Sequence, residues 1–183
     1  MENWDRFEMG KITSVEISDE ASAYIKKAIK EERFRHFREF MTRCLELAVI
    51  YTIDHWDVHK GIFFVDPCRI CLMPTETLEV ILKYIPNEEH EQVGRDIGNC
   101  ARAYFRRVGL DPKNSENWGT TLRRMTYDGW GRFSINGNII ENAHPVLPDA
   151  IVKGLLESVL NVALEPVELT KEAYIFRVTT PTP

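Results

Sequence analysis

The chain has 183 residues, 28% of them charged, a formal net charge of -5 and a pI near 5.6. That length suits one compact domain or a small module joined to a larger one, and the acidic balance excludes coating nucleic acid by bulk charge while allowing a local basic patch. No apolar run reaches the roughly 20 residues of a membrane span, the start MENWDRFEMG lacks the regions of a signal peptide, and four cysteines do not make a disulfide framework, so a cytoplasmic location is expected.

In residues 11–18, Thr13, Val15 and Ile17 alternate with Ile12, Ser14 and Glu16, the period of a strand. Ser18, followed by Asp19 and Glu20, supplies an N-cap and acidic first turn for a helix to about Glu32. Its apolar stripe is Ala21, Ile25, Ala28 and Ile29, with Lys26, Lys27 and Lys30 off it. A second helix is expected from Phe34 or Arg35 into the fifties, burying Phe37, Phe40, Met41, Cys44, Leu45, Ala48 and Val49. The run CLELAVIYTI is apolar enough to call for cover on most sides.

This strand, helix, helix order, about forty residues within a module at 1–54 and with REFMTRCLELAV as the second helix, resembles the ribbon-helix-helix family of DNA-binding proteins. The resemblance implies a homodimer whose paired strands enter the DNA major groove, with a phosphate held at the start of the second helix. Carried onto this chain, it names Lys11, Ser14 and Glu16 on the strand and Arg35 and Arg38 beside the second helix. The chain departs from the family's pattern. Glu16 can accept from a cytosine amino group but repels phosphate, and the usual glycine-containing turn and polar cap before the second helix are missing. Local charge favours the reading, because residues 26–43 hold seven Lys and Arg against three Glu. The alternative is a solvated helical hairpin used for dimer contacts.

Residues 55–74 form a junction. HWDVHKGIFFVDPCRIC contains His55 and His59 at helical spacing and Cys68 and Cys71 two residues apart, a set that could hold zinc between a helix end and the strand GIFFV. Asp54 and Asp57 are candidates to orient the imidazoles. The same Cys-x-x-Cys also fits a redox pair, and the whole segment also fits ordinary structure.

Beyond the junction, Pro74, Thr75 and Glu76 open a helix carrying Leu78, Val80, Ile81, Leu82 and Ile85. A long helix follows from near Asn87 to Val108, with Gly109 as its stop. Gly94 and Gly98 give it a face that another backbone can approach. Residues 110–117 read as a loop, followed by a short helix through Leu122 and Met125. Asn136-Gly137 marks a hairpin between strands at 130–135 and 138–141. Pro148 and Asp149 then start a helix through Ala163, with Gly154 for close packing and Pro166 barring continuation. Strands at 167–170 and 173–178 leave TTPTP as a tail.

GRDIGNCARAYF, WGRFSI, DAIVKGLLESVLNVAL and the terminal IFRV, in this order over roughly residues 75 to 178, resemble the 4-vinyl-reductase-type domain, related to vesicle-tethering subunits of the TRAPP complex. The resemblance implies an α+β fold that dimerises through helices and often holds an apolar small molecule. The expected pocket residues are Cys100, Tyr104, Trp130 and Phe133, against a competing reading in which the aromatics are core and Cys100 is a small filler. No phosphate loop, nucleophile elbow or zinc-protease helix is present, and Arg95, Asp96 and Arg102 read as surface charges, so no enzymatic role is expected.

The expected whole is an α+β chain: an N-terminal strand-helix-helix module, a junction, and a domain at 75–183 with helices on a small antiparallel sheet of two hairpins. Its expected function is a homodimeric transcriptional regulator sensing a small molecule, metal or redox signal. The alternative is a scaffold or carrier that does not bind DNA.

Overall fold

A computed structural model describes residues 16–65 and 68–181, with the side chains of residues 180 and 181 left aside. Among the described residues six α-helices and six strands, each kind coming mostly in runs, make an α+β arrangement. Helices α1 (Asp19–Lys30) and α2 (Phe37–Tyr51) form a hairpin, followed by two short 3-10 turns at Ile53–His55 and Val58–Lys60. Strands β1 (Phe63–Val65) and β2 (Cys68–Ile70) pair as a small antiparallel ribbon. Helices α3 (Thr75–Leu82), α4 (His90–Arg107) and α5 (Trp118–Tyr127) follow. Strands β3 (Arg132–Asn136) and β4 (Ile139–Ala143), helix α6 (Asp149–Leu160), and strands β5 (Val162–Leu169) and β6 (Ala173–Pro181) complete the chain. The second sheet is antiparallel in the order β3-β4-β6-β5, so both expected hairpins are present and β6 docks against β4.

Helix α6 is the centre of the core. Ile151, Val152, Leu155, Leu156, Val159 and Leu160 are all buried, and Phe105, Leu122, Met125, Phe133, Ile140 and Phe176 join them from the surrounding elements. Glycine sets how near α4 can come. A Cβ on Gly94 would strike the Ile151 carbonyl, one on Gly154 the Glu91 carbonyl, and one on Gly98 would lie 2.6 Å from the Leu155 carbonyl oxygen. The expected small-residue face is therefore a backbone-to-backbone contact of two helices. Polar bonds stitch its edge: Arg102 donates to the Ser158 carbonyl at 2.9 Å, and Arg95 and Lys153 reach Glu91 at 2.7 and 3.2 Å.

Chain stops follow backbone chemistry. Gly109 takes φ 77 after α4, and Leu110 N–H returns to the Phe105 carbonyl at 2.9 Å, closing a Schellman motif. The β3–β4 loop is Gly137-Asn138, one residue later than expected, because Asn136 pairs with Ile139 and Gly137 at φ 58 takes the first loop position. Helix α6 stops at Asn161 in the left-handed conformation, well before Pro166, so Ala163 belongs to β5. Pro166 sits in the outer strand, where a missing N–H is tolerated. The expected tail is partly a strand, since β6 continues to Pro181 opposite Val162.

The N-terminal module differs more. The strand expected at 11–18 lies outside the described residues except for Glu16, Ile17 and Ser18, which form no strand. Ser18 caps α1 as expected, accepting the Ala21 N–H at 3.2 Å. The face of α2 expected to be buried is covered only in part among the described residues: Phe40, Met41, Cys44 and Ala48 are half-buried, whereas Leu45 is 63% and Val49 67% exposed, and Phe37 also faces solvent. On α3, Val80 and Ile81 are likewise exposed, while Leu78 and Leu82 pack on the core. Amphipathic patterning marks a face that wants cover, and the described residues supply it only in part. No helix among the described residues is long and apolar enough to cross a membrane.

Candidate nucleic-acid interface

The turn between α1 and α2 is built without glycine. Glu32 takes the left-handed position at φ 57, and the N–H groups of Glu32 and Arg33 bond back to the carbonyls of Ile29 and Ala28, both at 3.0 Å. The glycine expected from the family pattern is absent, but its conformation is adopted. A polar cap, expected to be missing, is present. His36 at φ -163 accepts the Glu39 N–H on Nδ1 at 3.1 Å, while the Glu39 carboxylate accepts the Arg35 N–H at 2.8 Å. This reciprocal arrangement resembles a capping box with histidine in place of serine.

These contacts shape a concave surface of about 570 Å³ lined by Arg33, Phe34, His36, Arg38, Glu39, Thr42, Arg43 and Glu46. Positions 39, 42, 43 and 46 share one side of α2 by helical spacing, and the turn supplies the opposite wall. Arg33 is braced by Glu31 at 2.9 Å and stacks over the Tyr24 ring at 5.5 Å. Lys26, Lys30, Arg35, Arg38 and Arg43 make no ion pair among the described residues, so the hairpin keeps a positive surface within an acidic chain. Exposed cations of this kind attract phosphate through long-range charge and counterion release.

Of the expected DNA-contacting residues, Lys11 and Ser14 lie outside the described residues and Glu16 is exposed ahead of α1. Arg35 is exposed one residue before the cap, and Arg38 lines the concavity. The sequence reading did not name Arg33, His36 or Arg43 for this site. The His-x-x-Glu spacing of residues 36 and 39 was the available signal, and it is weak because histidine is not among the common N-caps.

The junction does not have the geometry expected of it. Helix α2 ends at Tyr51, and Thr52 at φ 44 turns the chain, so His55 and His59 fall on separate 3-10 turns instead of one helix face. Cys68 is half-buried in β2, and exposed Cys71 lies beyond the strand. Among the described residues no three or more His, Cys, Asp or Glu side chains converge as metal ligands. Asp54 approaches His55 at 3.4 Å, whereas Asp57 engages Lys60 at 2.7 Å. Protein contacts join the parts of this segment: Trp56 Nε1 donates to the Phe64 carbonyl at 2.7 Å, Thr52 Oγ1 donates to it at 3.3 Å, and Trp56 meets Phe63 edge-on. The Tyr51 hydroxyl donates to the Tyr127 carbonyl at 2.8 Å, joining the end of α2 to the end of α5.

The residues expected to line the ligand pocket divide between the core and the surface. Phe133 is a core residue and Trp130 packs beside that core, while Cys100 faces solvent and is not the filler expected of it. Tyr104 accepts from Arg124 at 2.7 Å. Burial raises its phenol above the ordinary tyrosine value against the pull of that guanidinium, so the ring keeps its proton well into the alkaline range. Asn142, also unforeseen, is fully buried beside Gly131 with neither amide atom partnered among the described residues. Arg95, Asp96 and Arg102 engage neighbours on α4 and α6. Comparison of the chain with family models, curated proteins and solved structures gives no match.

Proposed function

We propose that the chain is a homodimeric transcriptional regulator that contacts DNA through the α1–α2 hairpin and senses a signal through the domain that follows. The observation that carries this reading is the set of uncancelled cations around the hairpin concavity, in a protein whose overall charge would otherwise repel DNA. Phosphate contacts of this kind position a protein on the duplex, and sequence would be read by neighbouring groups. The resemblance of residues 1–54 to the ribbon-helix-helix family supports the same reading. So does the solvent-facing apolar side of α2, which a second copy of the hairpin would cover.

The test is a titration of labelled DNA from upstream of its own coding sequence against a random duplex. Tighter binding to the upstream DNA is expected, weakened by Arg35→Glu and Arg38→Glu. Equal affinity for both duplexes removes the regulator reading. A metal or redox signal at the junction remains part of the proposal, although binding there would have to draw His55, His59, Cys68 and Cys71 together. Elemental analysis of wild type, His59→Ala and Cys68→Ser tests it, and equal metal content in all three removes zinc.

The exposed faces of α2 and α3 favour a second reading, a scaffold or carrier in which the hairpin serves assembly alone. That account is preferred if charge reversal at Arg35 and Arg38 leaves DNA affinity unchanged while deletion of residues 1–34 abolishes the dimer.

A further inference from the structure

His36 both caps α2 and stands in the wall of the concavity, and these roles call for different protonation states. As the cap, its Nδ1 accepts the Glu39 N–H at 3.1 Å, which requires a lone pair on that nitrogen and therefore the neutral ring with its proton on Nε2. An imidazolium has no such lone pair. Protonation takes a proton from solvent onto Nδ1, ends the capping bond and sets a fourth cation beside Arg33, Arg38 and Arg43.

In the concavity that added charge meets three guanidinium groups and the positive end of α2. Two carboxylates favour it, but Glu39 already accepts from the Arg35 N–H and Glu46 lies further along α2. Glu31 is engaged by Arg33, and the Tyr24 hydroxyl of α1 accepts from the same guanidinium at 3.4 Å. Phosphate oxygens favour the imidazolium, because they pair with it and offer an acceptor to the Glu39 N–H that the ring has released. The His36 side chain is exposed, so the proton can reach it.

We propose that binding of DNA phosphate at this concavity is linked to protonation of His36, so that the protein takes up a proton as it binds and holds DNA more tightly at lower pH. The inference rests on the DNA-binding reading above and adds its regulation. Nearby arginines keep their charge throughout, and His36 is the residue of the concavity whose class changes charge between pH 5 and 8.

The experiment is an anisotropy titration of a rhodamine-labelled mixed-sequence duplex of roughly 20 base pairs with the full chain at constant ionic strength, at about pH 6 and about pH 8. Wild type is compared with His36→Asn and His36→Ser, which keep an N-capping acceptor but do not titrate. Circular dichroism confirms that each variant is folded. Wild type is expected to bind about three- to tenfold more tightly at the lower pH, and both variants to show a ratio near one. The same pH ratio in all three proteins, or weaker wild-type binding at the lower pH, overturns the coupling and leaves DNA binding standing. No duplex binding by wild type at either pH overturns both.

Discussion

Gly154 and Gly119 show how one substitution changes sign with its surroundings. Alanine is worth roughly 1 kcal/mol over glycine inside a helix. At Gly119 on α5 nothing lies within 4 Å of the added Cβ, so Gly119→Ala is expected to stabilise the protein by up to about 1 kcal/mol. At Gly154 the same atom strikes the α4 backbone, which cannot rotate aside, and Gly154→Ala is expected to cost about 2 kcal/mol or more. Urea midpoints of the two variants check both, and a Gly154→Ala protein no less stable than wild type would show that α4 and α6 are not in backbone contact. Glu91 beside this contact adds a pH dependence. Burial alone would raise its carboxyl, but Arg95 and Lys153 outweigh burial and hold it below the ordinary glutamate value. The folded state therefore binds this proton less readily than the unfolded chain. The stabilisation is present above about pH 4.3 and is lost as pH falls through the lowered value. In Glu91→Gln the loss of stability between neutral and acid pH is expected to be smaller, as urea titrations at about pH 7 and pH 3.5 would show.

The capping histidine is the decisive feature of the α1–α2 hairpin as an element. Removing it in His36→Ala leaves the Glu39 N–H without its side-chain partner and is expected to lower stability by about 1 kcal/mol at neutral pH. His36→Asn should restore most of that loss, and thermal melts of the pair distinguish capping from any other role of the ring. In the β3–β4 hairpin, Gly137→Ala places a Cβ on a residue at φ 58 and is expected to cost about 1 kcal/mol. Both elements were partly legible: Ser18 with its acidic followers announced α1, and Asn136-Gly137 announced the turn. The one-residue shift of that turn was not legible, because Asn-Gly and Gly-Asn both suit a two-residue loop and cross-strand pairing chooses between them.

For the whole molecule, the exposed part of the apolar stripe on α2 leads to an expectation about assembly. Leu45→Glu with Val49→Glu should leave the core around α6 intact, since neither residue is part of it, yet convert the proposed dimer to a monomer. Sedimentation equilibrium of wild type and the double variant checks this. A wild-type monomer, or a double variant that remains dimeric, removes the α2 face as the interface. The Tyr51–Tyr127 bond between α2 and the later domain is one route by which a signal could bias the hairpin, provided the signal prefers one arrangement of the two.

Sequence by itself determined the α+β class, the order of the six helices, both hairpins of the larger sheet and the small-residue faces of α4 and α6, but not strand β2 or that those two faces meet. Each rests on local patterning or on residues with special backbone freedom. It also located the positive stretch at residues 26–43. Only tertiary structure decided what those side chains do together. Spacing could not show that Thr52 ends α2 before His55 and so separates His55 from His59, or that Asn161 turns the chain out of α6 ahead of Pro166. Nor could it show that part of an apolar stripe on α2 would face solvent among the described residues while one on α6 is enclosed. Periodicity records that a face is apolar, whereas burial depends on which other surface reaches it, and that is a property of the assembled fold. Arg33, His36, Arg38 and Arg43 converge for the same reason, because the turn at Glu32 folds the approach to α2 back against its side.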